Sequence, residues 1–327
     1  MHDTLIIIIL LAVIFDISNG WHDCANAIAT VVSTKVLSPA KAVTLAAAMN
    51  ILGAFLTTAV AKTIGKDIVD PKVITDTVIM AALLSAFLWN LVTIQVGLPV
   101  SSSHALVGGI IGASVAYGGT GILNIPGILK ILSSLIISPI FGILIGYSFM
   151  KVILHYFGGH PPGTVNKYFG RLQILSSAAM AFGHGSNDAQ KVMGIITMAL
   201  LSRGMITTLE VPTWVILVAA SAMGFGTLFG GWKIIKTLGV KMLKLEPIHG
   251  FAAETSSTAI IIAASHFGMP VSTTHVISTA ILGVGATRRL SAVRWGIAGQ
   301  IVTAWILTLP VCIAIAWGFL KLFSRWM

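Results

Sequence analysis

Residues 97–104 read G-L-P-V-S-S-S-H, and residues 268–275 read G-M-P-V-S-T-T-H. The two stretches keep glycine, proline, valine, serine and histidine at identical spacing about 170 residues apart, and each difference exchanges like for like. A long match of this kind indicates an internal duplication. We call these stretches the hydroxyl motifs and predict that the chain consists of two homologous halves.

A second pair of stretches supports the duplication. Residues 20–27 read G-W-H-D-C-A-N-A and residues 185–192 read G-S-N-D-A-Q-K-V, which sets Asp23 against Asp188. We call these the acidic motifs. In each half the acidic motif precedes the hydroxyl motif by some 80 residues. Two repeats that place polar groups at one common centre are typical of secondary transporters.

The composition indicates that the chain lies in a lipid bilayer. Of its 327 residues, 56% are hydrophobic and 9% are charged, whereas soluble domains carry about 25% charged residues. Several apolar stretches approach the roughly 20 residues that cross a bilayer core as a helix. The formal charge of +10 falls mostly on loop lysines and arginines, which report topology and do not indicate a nucleic-acid partner. We therefore predict an all-α, multi-pass integral protein of the cytoplasmic membrane.

The apolar segments divide the chain into two transmembrane repeats. We place the first repeat at residues 1–150, a basic cytoplasmic linker at residues 151–171 and the second repeat at residues 172–327. Each repeat shows a first segment broken by its acidic motif, followed by four further apolar segments. Five crossings per repeat force the second half to insert upside down. This predicts an inverted-topology repeat with broken or re-entrant helices at the midplane.

Loop charges provide an independent test of the inversion. The loop after the second segment balances lysine against aspartate in the first half, whereas its counterpart at residues 233–246 holds four lysines and one glutamate. The loop after the fourth segment is uncharged at residues 117–127 but contains Arg288, Arg289 and Arg294 in the second half. Because cytoplasmic loops carry the excess of lysine and arginine, equivalent loops lie on opposite sides. Both termini are then predicted to lie outside.

The acidic motifs carry carboxylates at membrane depth. An ionised carboxylate at the centre of a membrane helix costs at least about 2.5 kcal/mol, so Asp23 and Asp188 should face a polar cavity or bind a partner. The nearby glycines and amides suit unwound helix that coordinates ions; they are Gly20, Asn26, Gly183, Gly185, Asn187 and Gln190. Lys191 is either part of this site or an anchor at the membrane interface. The alternative for the whole motif is a helix kink with one hydrogen-bonded aspartate.

The hydroxyl motifs are expected to begin helices. A proline ends the preceding segment in each, and Ser101 and Ser272 are suited to cap the helix that follows. Free backbone N–H groups at such a helix N-terminus attract anions, and two such ends could hold one tetrahedral oxyanion from both sides. The direct donors would be Ser102, Ser103, Thr273 and Thr274. The alternative is that the motifs only cap helices and that His104 and His275 are interior histidines with satisfied hydrogen bonds.

These motifs resemble the inorganic phosphate transporter (PiT) family. The resemblance rests on residues 19–37, on residues 183–198 and on the two hydroxyl motifs, and it covers essentially the whole chain. It is closest to the short bacterial low-affinity Pit branch. The resemblance implies phosphate symport driven by a cation gradient, through an inverted-repeat bundle that forms a homodimer. Transferred by motif position, it also implies that the substrate site consists of Asp23, Asn26, Asn187, Asp188, Gln190 and the two hydroxyl clusters.

Departures from the family pattern bear on the coupling cation. Many members have Asn-Asp where this chain has His22-Asp23, and Glu254 matches an acidic position although its counterpart near Leu83 is apolar. We assign His22, Asp23, Asp188 and Glu254 to cation coupling. Since an unperturbed histidine changes charge between pH 5 and 8, proton symport is favoured, with a neutral metal–phosphate complex or sodium coupling as alternatives. No cofactor is expected beyond the co-transported cation.

Three other functions are weighed against phosphate symport. Sulfate has the same shape, but phosphate at neutral pH keeps an O–H that Asp23 or Asp188 could accept, whereas sulfate is only an acceptor. A passive anion channel would use similar broken helices and hydroxyl-lined paths. An intramembrane hydrolase needs one Ser-His-acid geometry with an oxyanion hole, and two near-identical copies do not fit that need. We therefore do not expect an enzyme.

Overall fold

The computed structural model describes the backbone of residues 2–326 and the side chains of residues 3–324. The sequence predicts that both chain termini lie outside the cell, but the terminal residues Met1 and Met327 are not among the described residues. The first half contains α1 (His2–Ser33), α2 (Pro39–Gly53), α3 (Ala59–Lys66), α4 (Asp76–Val96), α5 (Ser102–Gly118) and α6 (Ile125–Phe157). The second half contains α7 (Pro162–Ser202), α8 (Thr213–Leu228), α9 (Trp232–Lys236), α10 (Pro247–His266), α11 (Thr273–Ala286) and α12 (Trp295–Trp326). The described chain is therefore all-α, as predicted.

The longest helices have the length and composition of membrane spans. Among the described residues, α1, α4, α6 and α12 are long and apolar enough to cross a bilayer. Helix α8 and the helical segment Trp232–Lys241, which begins with α9, form a further candidate span bent by 64°. The outer faces of α6 and α12 expose large apolar side chains such as Ile136, Leu144 and Ile306. Extended apolar surface of this kind suits acyl chains rather than water. The chain is a multi-pass membrane protein, and five crossings per half stay a prediction.

The two halves pack on each other in a reciprocal way. Helix α8 of the second half lies on α1, and α2 of the first half lies on α7. A methyl group added at Gly20 of α1 would lie 2.3 Å from the Met223 carbonyl oxygen, and one added at Gly185 of α7 would lie 2.1 Å from that of Asn50. Only glycine allows these backbones to come so close. Each acidic motif is thereby held against a helix of the opposite half.

A second reciprocal pair involves the helices that follow the hydroxyl motifs. Helix α5 packs on α12, and α11 packs on α6. Here too glycine permits the contact: a methyl group at Gly112 would lie 2.2 Å from the Ile313 carbonyl oxygen, and one at Gly283 would lie 2.3 Å from that of Ile143. Each helix that begins at a hydroxyl motif therefore rests on the last helix of the other half.

The prediction that the acidic motifs break the first segment of each half is wrong. Helices α1 and α7 run without interruption through Asp23 and Asp188. The glycines beside these residues serve close helix packing, so they do not unwind the backbone. At 32 and 41 residues, the two helices measure about 48 Å and 61 Å. Both lengths exceed the thickness of a bilayer core, about 30 Å, and neither helix contains a re-entrant turn.

The breaks in the helices lie at the hydroxyl motifs instead. Helix α4 ends before Gly97, whose φ of 77° is left-handed, and α10 is followed by Gly268 with a φ of 66°. Glycine adopts this conformation without strain. The chain then turns back, so α4 packs on α5 and α10 packs on α11. Each half therefore contains a helical hairpin whose tip is the hydroxyl motif.

The predicted caps of α5 and α11 are confirmed. Ser101 Oγ accepts a hydrogen bond of 3.2 Å from the backbone N–H of His104, and Ser272 Oγ accepts one of the same length from His275. A side-chain oxygen at this position satisfies one of the free N–H groups of the first turn. The first turns of both helices, and the backbone N–H groups that they carry, thus lie at the hairpin tips.

Helices α6 and α7 leave only a short turn within residues 151–171, which the sequence predicts as the linker. Helix α6 continues to Phe157 and α7 begins at Pro162, so only residues 158–161 lie between helices. Helix α6 ends before two glycines, at 158 and 159, and the proline at 161. Pro162 takes the first position of α7, where its missing N–H costs no hydrogen bond. The position of the boundary between the repeats stays a prediction.

Candidate functional site

Asp23 of α1 lies where the two hairpin tips meet and is buried. His22 Nδ1 lies 2.6 Å from Asp23 Oδ1. Ser102 Oγ, from the first hydroxyl motif, donates to Oδ2 at 3.1 Å, and Thr274 Oγ1, from the second, donates to Oδ1 at 3.3 Å. A carboxylate that accepts several hydrogen bonds is stabilised in its ionised form without contact with water. Both halves therefore hold the same carboxylate.

Asp188 of α7 occupies the equivalent position in the second half and is also buried. Lys191 Nζ lies 2.8 Å from Asp188 Oδ2, His184 Nε2 lies 3.5 Å away, and Thr273 Oγ1 donates to the same oxygen at 3.4 Å. Among the described side chains, none hydrogen bonds to Asp188 Oδ1. One buried carboxylate oxygen is thus available to a ligand. We call Asp23, Asp188 and the side chains bonded to them the central site.

The contacts of the central site repeat between the halves. Ser102 and Thr273 hold the same place in their hydroxyl motifs, and each bonds to the aspartate of its own half. Asn26 links the two halves, because its Nδ2 donates hydrogen bonds to Thr273 at 3.2 Å and to Thr274 at 2.9 Å, both in the second half. Its Oδ1, like that of Asp188, has no partner among the described residues. The site thus offers both hydroxyl donors and free acceptor oxygens.

One side of the central site could hold a cation. Asp23, His184 and Asp188 each offer a ligand atom, and these atoms lie within 4.8 Å of one another. Asn50 Oδ1 is only an acceptor, so His184 Nδ1, 3.0 Å away, must carry the hydrogen of that bond. A neutral His184 then directs the lone pair of Nε2 towards Asp188. Lone pairs that converge in this way are suited to a bound cation or a proton.

The charges of the central site do not balance. It contains two carboxylates, Asp23 and Asp188, and one ammonium group, Lys191, all of them buried. With neutral histidines, the sum is one negative charge. Burial strengthens the effect of this charge, because a low-dielectric surrounding screens it poorly. The site as it stands therefore repels an anion unless a cation or a proton binds with it.

Most predicted site residues are found at the central site. The predicted residues that contact one of the two carboxylates directly are His22, Ser102, Thr273 and Thr274. Asn26 is linked to the carboxylates through the hydroxyls of Thr273 and Thr274. Ser101 and Ser272 adjoin it as helix caps. Ser103, however, donates to the Val271 carbonyl oxygen at 3.0 Å and so ties the two hairpin tips together. Its prediction as a direct substrate donor is not supported by this arrangement.

Gln190 and Asn187 hold neighbouring elements in place. Gln190 Oε1 accepts from the backbone N–H groups of Val60 and Ala61 at 2.8 and 3.1 Å. It caps α3, whose own preceding residue makes no side-chain cap. Asn187 Nδ2 donates to Ser265 Oγ at 3.0 Å, near the end of α10. In this arrangement the amide oxygen of Gln190 is already used, and the predicted contact of Gln190 with substrate stays a prediction.

Glu254 lies in a separate polar cluster. Its carboxylate accepts from Thr30 at 2.5 Å, from Gln173 at 3.1 Å and from Ser176. Thr30 is two helical turns from Asp23, about 10 Å along α1. The structure therefore does not bring Glu254 to the central site, although the sequence grouped it with Asp23.

His104 and His275 contact each other across the two halves. Their rings are 4.8 Å apart, and the His275 ring stacks on Trp305 at 3.8 Å. The expectation of satisfied interior histidines does not hold, because His104 Nδ1 and His275 Nε2 are buried and bond to no group that the structure describes. Neither ring hydrogen bonds to Asp23 or Asp188 in this arrangement.

Two residues of the central site were not assigned from the sequence. Lys191 is 1% exposed and bound to Asp188, which decides against an anchor at the membrane interface. His184 had no role. Both lie one turn from Asp188 on the same helix, at the spacings that bring helical side chains together. That spacing is the signal that identifies them once α7 is known to be continuous.

Comparisons with known proteins identify the family of the chain. Residues 19–316 match the model of the phosphate transporter family. A probable low-affinity inorganic phosphate transporter of Bacillus subtilis (strain 168) is 49% identical over 94% of this chain and 93% of the relative. One of Rhizobium meliloti (strain 1021) is 46% identical over the same shares.

A solved structure has the same fold. It is described as the sodium-dependent phosphate transporter and superposes with a TM-score of 0.90 at 26% sequence identity. The match covers 99% of this chain and 100% of the other. The whole arrangement of helices is therefore that of a known transporter.

Proposed function

Because the chain belongs to the phosphate transporter family, we propose that it imports inorganic phosphate across the cytoplasmic membrane by symport with a cation, and that this cation is the proton. The family and its members are transporters, so the intramembrane hydrolase is set aside. Two inverted repeats, with five crossings each and both termini outside, would alternate access to the central site, and two copies would form a homodimer.

The charge of the central site is the observation that carries the proposal. Asp23 and Asp188 outnumber Lys191, and all three are buried. A phosphate monoanion meets a net negative charge there, so its binding alone is unfavourable. A proton or another cation that binds first removes this repulsion. Phosphate and cation then depend on each other for binding, and mutual dependence of this kind is what symport requires.

Phosphate suits the donors and acceptors of the central site. The first turns of α5 and α11 place backbone N–H groups and hydroxyls at the hairpin tips, and an anion is favoured at such helix N-termini. Ser102, Thr273 and Thr274 would exchange their bonds to the carboxylates for bonds to phosphate oxygens. Asp188 Oδ1, which is unpartnered among the described residues, would accept a phosphate O–H. Sulfate, which carries no O–H at neutral pH, cannot make this last bond.

The contact between His22 and Asp23 favours the proton as the coupling cation. At 2.6 Å, the imidazole and the carboxylate are close enough to share one proton. Protonation of His22 would add the positive charge that the central site lacks. Alternatively, the positive charge would enter with phosphate as a neutral metal–phosphate complex, and Asp23, His184 and Asp188 would bind the metal ion.

Sodium is the second candidate. The solved structure of the same fold is described as sodium-dependent. Carboxylate oxygens are suitable ligands for a hard cation, and Asp23, His184 and Asp188 converge within 4.8 Å.

Uptake of labelled phosphate into proteoliposomes tests the proposal. The pH gradient and the sodium gradient are imposed separately, at constant membrane potential, with sulfate as competitor. We expect accumulation above equilibrium that is driven by the pH gradient and unaffected by sulfate. Sodium-driven accumulation would replace the proton by sodium, and equilibration without accumulation would indicate a passive channel.

A further inference from the structure

The proline carbonyl of each hydroxyl motif is bound by a side chain of the other half. Trp305 of α12 donates its indole N–H to the Pro99 carbonyl oxygen at 2.9 Å. Ser134 of α6 donates its hydroxyl to the Pro270 carbonyl oxygen at 2.7 Å and shares that hydrogen with the Ile131 carbonyl oxygen at 2.8 Å. Both prolines are buried, and no backbone N–H in the described chain bonds to either carbonyl. Since a buried carbonyl without a partner is unfavourable, these two side chains stabilise the hairpin tips.

Trp305 and Ser134 hold the same place in the two halves. The register that aligns the two hydroxyl motifs sets Ser134 against Trp305. The prolines inside α6 and α12, Pro139 and Pro310, fall in the same register. A serine and a tryptophan therefore make the same contact, each across the boundary between the halves. Because the contact recurs although the residue type differs, the two positions have a common task.

Trp305 also contacts the second hydroxyl motif. Its ring stacks on His275 with the ring centroids 3.8 Å apart, and the His275 ring lies 4.8 Å from that of His104 in the first motif. Trp305 thus contacts one hydroxyl motif through its N–H and the other through its ring face. It is 8% exposed, whereas Trp317 on the same helix is 47% exposed. Its N–H is used inside the protein, so Trp305 is not an anchor at the membrane interface.

The two bound prolines are close in sequence to hydroxyls of the central site. Pro99 precedes Ser102 by three residues, and Pro270 precedes Thr273 by three. These two hydroxyls donate to the buried carboxylates at 3.1 and 3.4 Å, at the long end of the range for hydrogen bonds. A small displacement of either hairpin tip is therefore enough to lose them.

We propose that Trp305 and Ser134 are positioning residues of the phosphate site, which hold the two hydroxyl motifs at the separation that lets one phosphate ion bind to both. Each acts through the backbone of a hydroxyl motif, and neither hydrogen bonds to the central carboxylates in the described structure. Trp305 makes the larger contribution, because it contacts both motifs and its hydrogen has one acceptor. The inference rests on the proposed binding of phosphate at the central site and does not depend on the coupling cation.

Exchange of labelled for unlabelled phosphate in proteoliposomes, with equal pH and equal sodium on both sides, tests the role of Trp305. This exchange needs no net movement of the coupling cation. Trp305→Phe keeps a stacked ring but removes the N–H donor, so we expect KM for phosphate to rise about fivefold, as for the loss of one hydrogen bond. The maximal rate should change little. Trp305→Leu removes both contacts and should raise KM by about tenfold or more. Trp317→Phe, at the exposed position of the same helix, is the control and should leave KM unchanged.

Replacement of Ser134 provides a second test that does not depend on the folding of the Trp305 variants. A cavity of about 390 Å³ between α6 and α10 adjoins Ser134, so an added methyl group has room. Ser134→Thr keeps the hydroxyl and should keep KM for exchange, whereas Ser134→Ala removes it and should raise KM about threefold. Ser133→Ala is the matched control, because Ser133 is exposed and its hydroxyl bonds only within its own helix.

A purely structural role predicts a different result. It would lower the melting temperature in detergent and leave KM of the folded variants at the wild-type value. That result for Trp305→Phe, or equal KM values for Ser134→Thr and Ser134→Ala, would overturn the inference. Wild-type protein that does not exchange phosphate would instead overturn the proposed transport itself.

Discussion

The ammonium group of Lys191 lies 2.8 Å from Asp188 Oδ2, one turn away on the same helix, and both side chains are buried. No equivalent pair exists in the first half, where the corresponding residue is Asn26. The two aspartates, equivalent by sequence, therefore have different partners. Asp23 is held by an imidazole and hydroxyls, whereas Asp188 is held by a fixed positive charge.

Removal of this charge should destabilise the protein and abolish transport. In Lys191→Met, Asp188 keeps only weak partners, and breaking a buried ion pair costs about 3–5 kcal/mol. We expect a lower melting temperature in detergent and no phosphate uptake. The double variant Lys191→Met/Asp188→Asn removes both charges, so it should regain most of the stability and remain inactive. A single variant that melts like the wild type would contradict the buried pair.

Replacement of His22 should remove the response to pH. His22→Asn keeps a polar side chain beside Asp23 but removes the imidazole that we propose as the proton carrier. We expect accumulation driven by a pH gradient to fall at least tenfold, together with the proton uptake that accompanies phosphate entry. A pH-sensitive dye inside the liposomes measures the latter. His160→Asn, in the exposed turn between α6 and α7, is the control; proton uptake that survives in His22→Asn would contradict this role.

Gln190 should be important for stability rather than for substrate affinity. Gln190→Leu leaves the N–H groups of Val60 and Ala61 without their acceptor, and each unsatisfied buried group costs about 1–3 kcal/mol. We expect a lower melting temperature with an unchanged KM for phosphate in the folded fraction. Gln95→Leu, at an exposed position, should change neither quantity. A raised KM at normal stability would instead return Gln190 to the substrate site.

The glycine contact between α7 and α2 should tolerate no side chain. In Gly185→Ala the added methyl group would lie 2.1 Å from the Asn50 carbonyl oxygen, and overpacking of this kind costs about 1–3 kcal/mol or more. Gly163→Ala on the same helix meets no atom within 4 Å and should be neutral or slightly stabilising, because alanine favours helix more than glycine. Equal melting temperatures for the two variants would contradict the close approach of the helices.

The features that depend on short stretches of sequence could be predicted. The duplication, the capping roles of Ser101 and Ser272, and the meeting of both hydroxyl motifs with Asp23 and Asp188 follow from motifs of a few residues. A proline followed by serine sets the start of a helix through local backbone geometry alone. These predictions needed no knowledge of which helices become neighbours.

Features that depend on neighbouring helices could not be predicted in the same way. Glycine near Asp23 or Asp188 is compatible with unwound helix and with close packing, and only the position of α8 and α2 decides between them. The side chains of Gln190 and Ser103 likewise turn to backbone groups of α3 and of the opposite hairpin. Lys191 could have reached the membrane surface had α7 been broken where the sequence indicated.

The glycine contacts join the helices in pairs whose backbones touch. Close backbone contacts join α1 to α8, α2 to α7, α5 to α12 and α11 to α6. Relative motion is easier where groups meet through side chains, and that boundary runs between the hairpin tips and the long helices. The bonds from Ser102 to Asp23 and from Thr273 to Asp188 lie on it. If the protein alternates access as we propose, binding of the substrate and movement of the protein act on the same few hydrogen bonds, and an occupied site and an empty one would favour different positions of the hairpins.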